Sequence, residues 1–253
     1  MQRYFVSPEA IQDGRVRITG DDVKHITRVL RLQPDAEVIC ADGTGSSYRV
    51  RLAELGSDQV IGDIVETLDE KVESQVKLTL VQGLPKGDKM DLIVQKGTEV
   101  GVARFVPVET NRTIVQYDAK KENKRRERWQ RIAKEAAEQA HRVVIPEIDE
   151  VTSFTKWLTQ EASSFDLVLI AYEGESGHGL RAVLNKRIES SINPPRSVAV
   201  IIGPEGGFDQ QEVLLAEEKG ARAITLGPRI LRTETAGVVA AAMILYHYEQ
   251  MGG

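Results

Sequence analysis

The stretch SVAVIIGPEGGFDQQEVLLAEEKGARAITLGPRILRTETAG, residues 197–237, decides the fold. It opens with the apolar run SVAVIIG (197–203), turns through GPEGGFDQQE (203–212) and continues as a helix-length segment over 210–219. A second apolar run, RAITLG (222–227), leads through GPRILRTETA (227–236) into a final helix over about 234–249. Strand-length runs that are apolar on both faces, alternating with helices, specify a parallel sheet covered on both sides.

The same alternation extends upstream to residue 76. VKLTLVQGL (76–84) is followed by a helix over 88–100, then RFVPV (104–108), a long basic helix at about 121–141, DLVLIAY (166–172) and a helix around 179–190. Before residue 70 the period is two. RVRIT (15–19), AEVICAD (36–42), SSYRVRLAEL (46–55) and QVIGDIVETL (59–68) are short strands separated by turn signals at Asp13-Gly14, Asp42-Gly43-Thr44-Gly45 and Gly56-Ser57-Asp58. They read as a small β-barrel domain. One helical interruption, DDVKHITRVLRLQPD, takes Asp21 or Asp22 as its N-cap. The domains expected are therefore 1–70 and 71–253, with Asp69-Glu70-Lys71 as the linker.

Composition narrows the function classes. A chain of 253 residues, 41% hydrophobic and 28% charged, excludes disordered and fibrous classes. The apolar stretch from Val238 to Tyr246 is far short of the roughly 20 residues of a membrane span, and MQRYFVSPEA has no secretory apolar core, so a soluble, cytoplasmic protein is expected. One cysteine, Cys40, and four scattered histidines (His25, His141, His178, His247) give no metal-ligand spacing, and no metal is expected. Charge is uneven: residues 1–70 carry 8 Lys and Arg against 13 Asp and Glu, 71–145 carry 16 against 10, and 146–253 carry 9 against 15. Basic charge is densest from Lys120 to Arg142, either a solvated helical face or a surface that neutralises phosphates.

In open α/β sheets ligands bind beyond the carboxyl ends of the strands. The loops to inspect are thus EGESGHG (173–179), GPEGGFDQQE (203–212) and GPRILRTETA (227–236). Two Gly-Pro turns in the same topological place point to a shared pocket, and Asp209 and Glu212 have the spacing of a capping box. No G-x-G-x-x-G follows the first α/β strand, and no G-x-x-x-x-G-K-[ST] or G-x-S-x-G occurs, which argues against dehydrogenases, P-loop enzymes and serine hydrolases. Arg229 and Arg232 precede a helix whose expected N-cap is Thr233. Cations there oppose the helix dipole, so their position calls for another explanation, such as an anion or a salt bridge to Glu205 or Glu234.

Four motifs in order, MQRYFV (1–6), LPKGDKMDLIVQKGTEVGV (84–102), IIGPEGGFDQQE (201–212) and LGPRILRTETA (226–236), resemble the ribosomal RNA small subunit methyltransferase E family over essentially the whole chain. The resemblance implies a SPOUT-type α/β domain with a C-terminal trefoil knot, preceded by a PUA-like β-barrel. It also implies an enzyme that uses S-adenosylmethionine to methylate N3 of one uridine (m3U1498) in 16S ribosomal RNA. Alternatives are a SPOUT enzyme acting on another ribosomal or transfer RNA site, and a non-catalytic RNA-binding assembly factor. The cofactor loops of the family match Ile170, Ala171 and Tyr172; Gly203, Pro204, Glu205, Gly206 and Gly207; and Leu226, Gly227, Leu231 and Arg232. Arg232 is the expected catalytic cation, with Glu205 or Glu234 as proton acceptor. Expected RNA contacts are Arg3, His25, Arg28 and Arg31 in the first domain, and Lys86, Lys89, Lys96, Arg112, Lys124, Arg125 and Arg128 in the second. The final helix is apolar around most of its circumference, more than one core face requires, and predicts a homodimer.

Overall fold

The computed structural model describes residues 1–252 apart from 116, 173, 175–177 and 190–193. Most of the predicted EGESGHG loop therefore lies outside the described residues, as does the end of the helix expected around 179–190. The chain divides into two compact units, Met1–Glu73 with Ala137–Ile145, and Ser74–Ala136 with Pro146–Gly253. The sequence boundary at residue 70 had no place for the second segment of the first unit. That segment is held by interactions distant in sequence: Arg142 pairs with Glu73 at 2.6 Å, and Arg3 Nη1 donates to the Arg142 carbonyl at 3.4 Å.

The first unit contains β1 (Arg3–Phe5), β2 (Ile11–Gln12), β3 (Arg15–Thr19), β4 (Glu37–Ala41), β5 (Ser47–Leu55) and β6 (Gln59–Leu68) in one sheet of order β1-β4-β5-β6-β3-β2. Alternation does what the period-two reading requires: Val16, Ile18, Val38, Cys40, Val50, Leu52 and Val60 face one core. Register shifts between Arg49 and Val50 and between Leu52 and Glu54 bend the long β5–β6 ladder around that core. The expected barrel takes the form of a bent six-stranded sheet in which β1 pairs with β4 and β2 with β3. The helical interruption is α1 (Asp21–Lys24), capped by Gly20 rather than by Asp21 or Asp22, and it widens at once into a π turn, His25–Val29. There Leu30 N–H donates to the His25 carbonyl at 2.9 Å. Cys40 is buried, and burial first, then Asp22, pushes its thiol pKa up to about 12, which removes it as a nucleophile at neutral pH.

Arg3 requires a correction. It is 2% exposed and its guanidinium grips Glu70 at 2.7 and 2.9 Å, so it braces the interior of the first unit and presents no charge to RNA.

The second unit is a parallel sheet of β7 (Lys77–Gly83), β8 (Arg104–Glu109), β9 (Glu147–Ile148), β10 (Thr152–Ser153), β11 (Leu167–Ala171), β12 (His178–Gly179), β13 (Ser197–Ile202) and β14 (Arg222–Thr225). Its order is β10-β8-β7-β13-β11-β14-β12, with β9 beside β8, and each described pairing is parallel. One face is covered by α4 (Phe154–Gln160) and α6 (Gln210–Glu218), whose Phe154, Trp157, Leu158, Val213 and Ala216 pack on Val81, Val106, Ile170 and Ile201. α2 (Lys89–Val100) packs against α7 (Thr233–His247), which also lies on β7 and β13. α5 (Leu180–Glu189) follows β12. α3 (Ala119–Gln139) is the basic helix. It is anchored by Trp129, 1% exposed, whose Nε1 donates to Asp91 at 3.1 Å. No helix among the described residues is long and apolar enough to cross a membrane.

Candidate active site

The three inspected loops leave adjacent strands of one sheet, because β14 and β13 flank β11 in parallel register. Their carboxyl ends therefore open onto one cavity of about 560 Å³. Its walls are Ala171 at the end of β11 and Tyr172 after it, the loop from Gly203 to Phe208 after β13, and Ile224 to Gly227 with Arg229 to Thr233 around the end of β14, with Lys89, Arg112 and Ala236 completing the rim. Ile170, assigned to this wall from sequence, is instead fully buried in the sheet core, because its side chain alternates to the face that packs on α4 and α6.

Local chemistry explains why the loops hold this shape. Gly207 has φ +66°, a left-handed conformation that a side chain would strain, and its N–H closes a turn onto the Pro204 carbonyl at 2.9 Å. A Cβ on Gly83, at the end of β7, would stand 2.5 Å from Pro204 Cδ, so only glycine lets the strand pass beneath this loop. The capping box is formed as its spacing predicts: Asp209 accepts from Glu212 N–H at 2.8 Å and Glu212 accepts from Asp209 N–H at 3.0 Å. Glu212 also accepts from Asn111 N–H at 2.8 Å, and Arg112 Nη1 donates to the Gly206 carbonyl at 2.8 Å.

Beneath the cavity a buried relay joins the loops. Thr233 Oγ1 donates to the Gly203 carbonyl at 2.7 Å and accepts from Gln82 Nε2 at 2.9 Å, while Gln82 Nε2 also donates to the Gly83 carbonyl at 2.9 Å. Gln82 is fully buried. Sequence reasoning missed it, although a lone amide inside the apolar run VKLTLVQGL was a signal. The same relay corrects the helix start: Arg232 is the N-cap of α7, its carbonyl accepting from Thr235 and Ala236 N–H at 2.8 Å, and Thr233 is the first helical residue.

Charge at the rim departs from the salt-bridge alternative. Neither Arg229 nor Arg232 has an ion pair among the described residues, and both are exposed at the cavity. The acids pair with Lys89 instead, Glu205 at 2.7 Å and Glu234 at 3.6 Å. Burial pushes the Glu205 carboxyl up, but Lys89 and the N–H groups of Glu205 and Lys86 outweigh it and hold its pKa below the ordinary value. Pairing with Glu205 raises the Lys89 pKa in turn. Glu205 lines the cavity, whereas Glu234 stands behind Lys89 and leaves Oε2 buried without a hydrogen bond.

The predicted RNA contacts differ in their local partners. Lys96 pairs with Glu99 at 2.8 Å, Arg125 with Asp88 at 2.9 Å and Arg128 with Asp91 at 2.5 Å, which ties three cations to neighbouring acids. Lys124 and the Lys86 side chain are exposed. In the first unit, His25 is half-buried with Nδ1 3.2 Å from Tyr4 Oη, while Arg28 and Arg31 are exposed.

Comparison with known proteins gives this geometry a lineage. Residues 72–245 match an RNA methyltransferase domain, and residues 18–65 match an RNA methyltransferase PUA domain. The ribosomal RNA small subunit methyltransferase E of Bacillus subtilis is 39% identical over 100% of this chain and 99% of its own length. The protein of that name from Synechocystis is 34% identical over 96% of this chain and 76% of its own. A crystal structure of a ribosomal RNA small subunit methyltransferase E from Neisseria gonorrhoeae, bound to S-adenosyl methionine, superposes with a TM-score of 0.85 at 32% identity, covering 97% of each chain. With both domains matched and the likeness running from end to end, the chain belongs to the ribosomal RNA small subunit methyltransferase E family.

Proposed function

We propose that this protein transfers a methyl group from S-adenosylmethionine to N3 of one uridine, m3U1498, in the 16S RNA of the small ribosomal subunit. The observation that carries the reading is the cavity built from the loops after β11, β13 and β14, with two arginines at its mouth that have no ion pair among the described residues. The residues suit the cofactor. The volume of about 560 Å³ lies inside the ~300–1,000 Å³ typical of small-molecule sites, Leu226 and Leu231 offer apolar walls, and Gly203, Gly206, Gly207 and Gly227 bring backbone to the surface. S-adenosylmethionine, when bound, supplies an electrophilic methyl group.

The chain's own residues supply the rest. Uridine N3 lies on the Watson–Crick edge and carries a proton at neutral pH, so the target base must be unpaired and deprotonated. Proton loss leaves negative charge on O2 and O4, and Arg232 stabilises it as it develops. Glu205, at the wall and held ionised, accepts the proton. Arg28, Arg31 and Lys124, exposed on their respective units, contact phosphates.

The path of the chain supports a SPOUT-type trefoil knot. From β14, at the far side of β11, it returns past β11 to place α7 on β13 and β7. α7 also supports a homodimer, for beyond its buried face it leaves Met243 and Tyr246 exposed at 40% and 68%. A cytoplasmic location goes with ribosomal RNA as the proposed substrate. Calorimetry tests the reading: S-adenosylmethionine and its demethylated product both bind the wild-type protein, and absence of binding by either contradicts it.

A further inference from the structure

Lys89 stands in the motif LPKGDKMDLIVQKGTEVGV, and sequence reasoning gave it to RNA phosphate. Its position in the fold gives it other work. At the first residue of α2, its ammonium lies 2.7 Å from Glu205 Oε1, on the loop after β13, and 3.6 Å from Glu234 Oε2, in the first turn of α7. The approach to the same helix holds Glu205 a second time, through Lys86 N–H at 3.1 and 3.3 Å to its two carboxylate oxygens. Three segments that share no strand ladder at this point thus meet on one cation. Two of them carry cavity wall.

We propose that Lys89 is a positioning residue, a latch that ties the Gly203–Phe208 loop to the first turn of α7 and keeps the cavity in its ligand-ready shape. An ammonium already shared between two carboxylates is poorly placed to release counterions from RNA, because binding a phosphate would leave both acids uncompensated. Its partial exposure, 33% against 29% and 15% for the two acids, limits the pairing to a modest effect. The latch works with Gln82 and Thr233, which join the same two segments from below. The inference rests on reading the cavity as the S-adenosylmethionine site, and the experiment separates the two.

Lys89→Met, which keeps the aliphatic stem and loses the charge, and Lys89→Arg are compared with wild type in the full chain. Amide exchange followed by mass spectrometry reads the latch directly, without ligand. Lys89→Met is expected to speed exchange in peptides covering 203–208 and 233–236 and nowhere else in the second unit, with Lys89→Arg closer to wild type. Calorimetry is expected to show S-adenosylmethionine bound about two- to fivefold more weakly by Lys89→Met, the scale of a partly exposed ion pair. The salt dependence of binding to a 16S RNA fragment is expected to be unchanged. Unaltered exchange at 203–208, or a log-log salt slope reduced by about 0.7, the signature of one lost single-strand phosphate contact, overturns the latch. If wild type binds no S-adenosylmethionine, the cofactor reading falls, while exchange still decides the latch.

Discussion

Replacing Thr233 by valine removes one hydroxyl and keeps the branched shape that the start of α7 accommodates. That hydroxyl makes two buried hydrogen bonds, 2.7 Å to the Gly203 carbonyl and 2.9 Å from Gln82 Nε2. Gln82 Nε2 keeps the Gly83 carbonyl at 2.9 Å, so the main uncompensated group is the Gly203 carbonyl, left with only a 3.5 Å approach from Gln82. One buried acceptor stripped of its partner costs roughly 1–3 kcal/mol. Taking about 2 kcal/mol from the middle of that range, at about 2–4 °C per kcal/mol for a unit of this size, Thr233→Val should melt about 4–8 °C below wild type. Thr233→Ser is the control. It keeps the relay and loses a methyl group worth about 0.8 kcal/mol, so its drop should be less than half as large. Differential scanning calorimetry with and without S-adenosylmethionine completes the assay. Because the lost bond frees a cavity wall, the ligand should raise the melting temperature of the valine variant less than that of wild type. A valine variant melting within about 1 °C of wild type, or a serine variant falling as far as the valine, would show that the relay does not hold the loops.

Three further outcomes are expected. Arg232→Ala should lower kcat by about 10²–10³ while leaving the fold and much of the cofactor binding intact, with Arg232→Lys a partial rescue; near wild-type turnover with saturating RNA would move the role to Arg229. Changing Arg28, Arg31 and Lys124, the exposed cations, together to Glu should weaken binding across RNA sequences and flatten its steep salt dependence, whereas a salt-independent wild-type affinity would remove these cations from the interface. In the first unit, burial raises the Glu73 pKa, but Arg142 and the N–H groups of Val143 and Val144 outweigh it and hold it below the ordinary 4.5. Stability from Glu73 is therefore complete above about pH 5 and is lost as pH falls through the depressed value. Glu73→Gln should destabilise at neutral pH by on the order of 2 kcal/mol and flatten the acid limb of a urea-midpoint profile, and an unchanged limb would exclude this linkage.

What the sequence disclosed follows the range of the forces involved. Strands β7, β11 and β13 were legible because a sheet buried on both faces demands unbroken apolar runs, and the capping box because its two hydrogen bonds span three residues. α4 was overlooked, although Ser153 before Phe154, Trp157 and Leu158 at helical spacing was a usable cap signal; Ser153 Oγ does accept from Lys156 N–H. The two-residue strands β9 and β10 carry no periodicity at all. At the site, glycines marked the loops, since backbone geometry is a local demand. The partners of Lys89 were not legible, because Glu205 lies 116 positions away and an ion pair leaves no trace in spacing. Arg3 failed for the same reason, its acid lying 67 positions downstream.

Nucleoside mass spectrometry of 16S RNA reads the proposed methylation of one base in one RNA without an intermediate assay. RNA from a strain lacking this protein should have lost 3-methyluridine at the target position. The modification should return with the wild-type chain and stay absent with Arg232→Ala. Undiminished 3-methyluridine in the deletion strain would contradict the account.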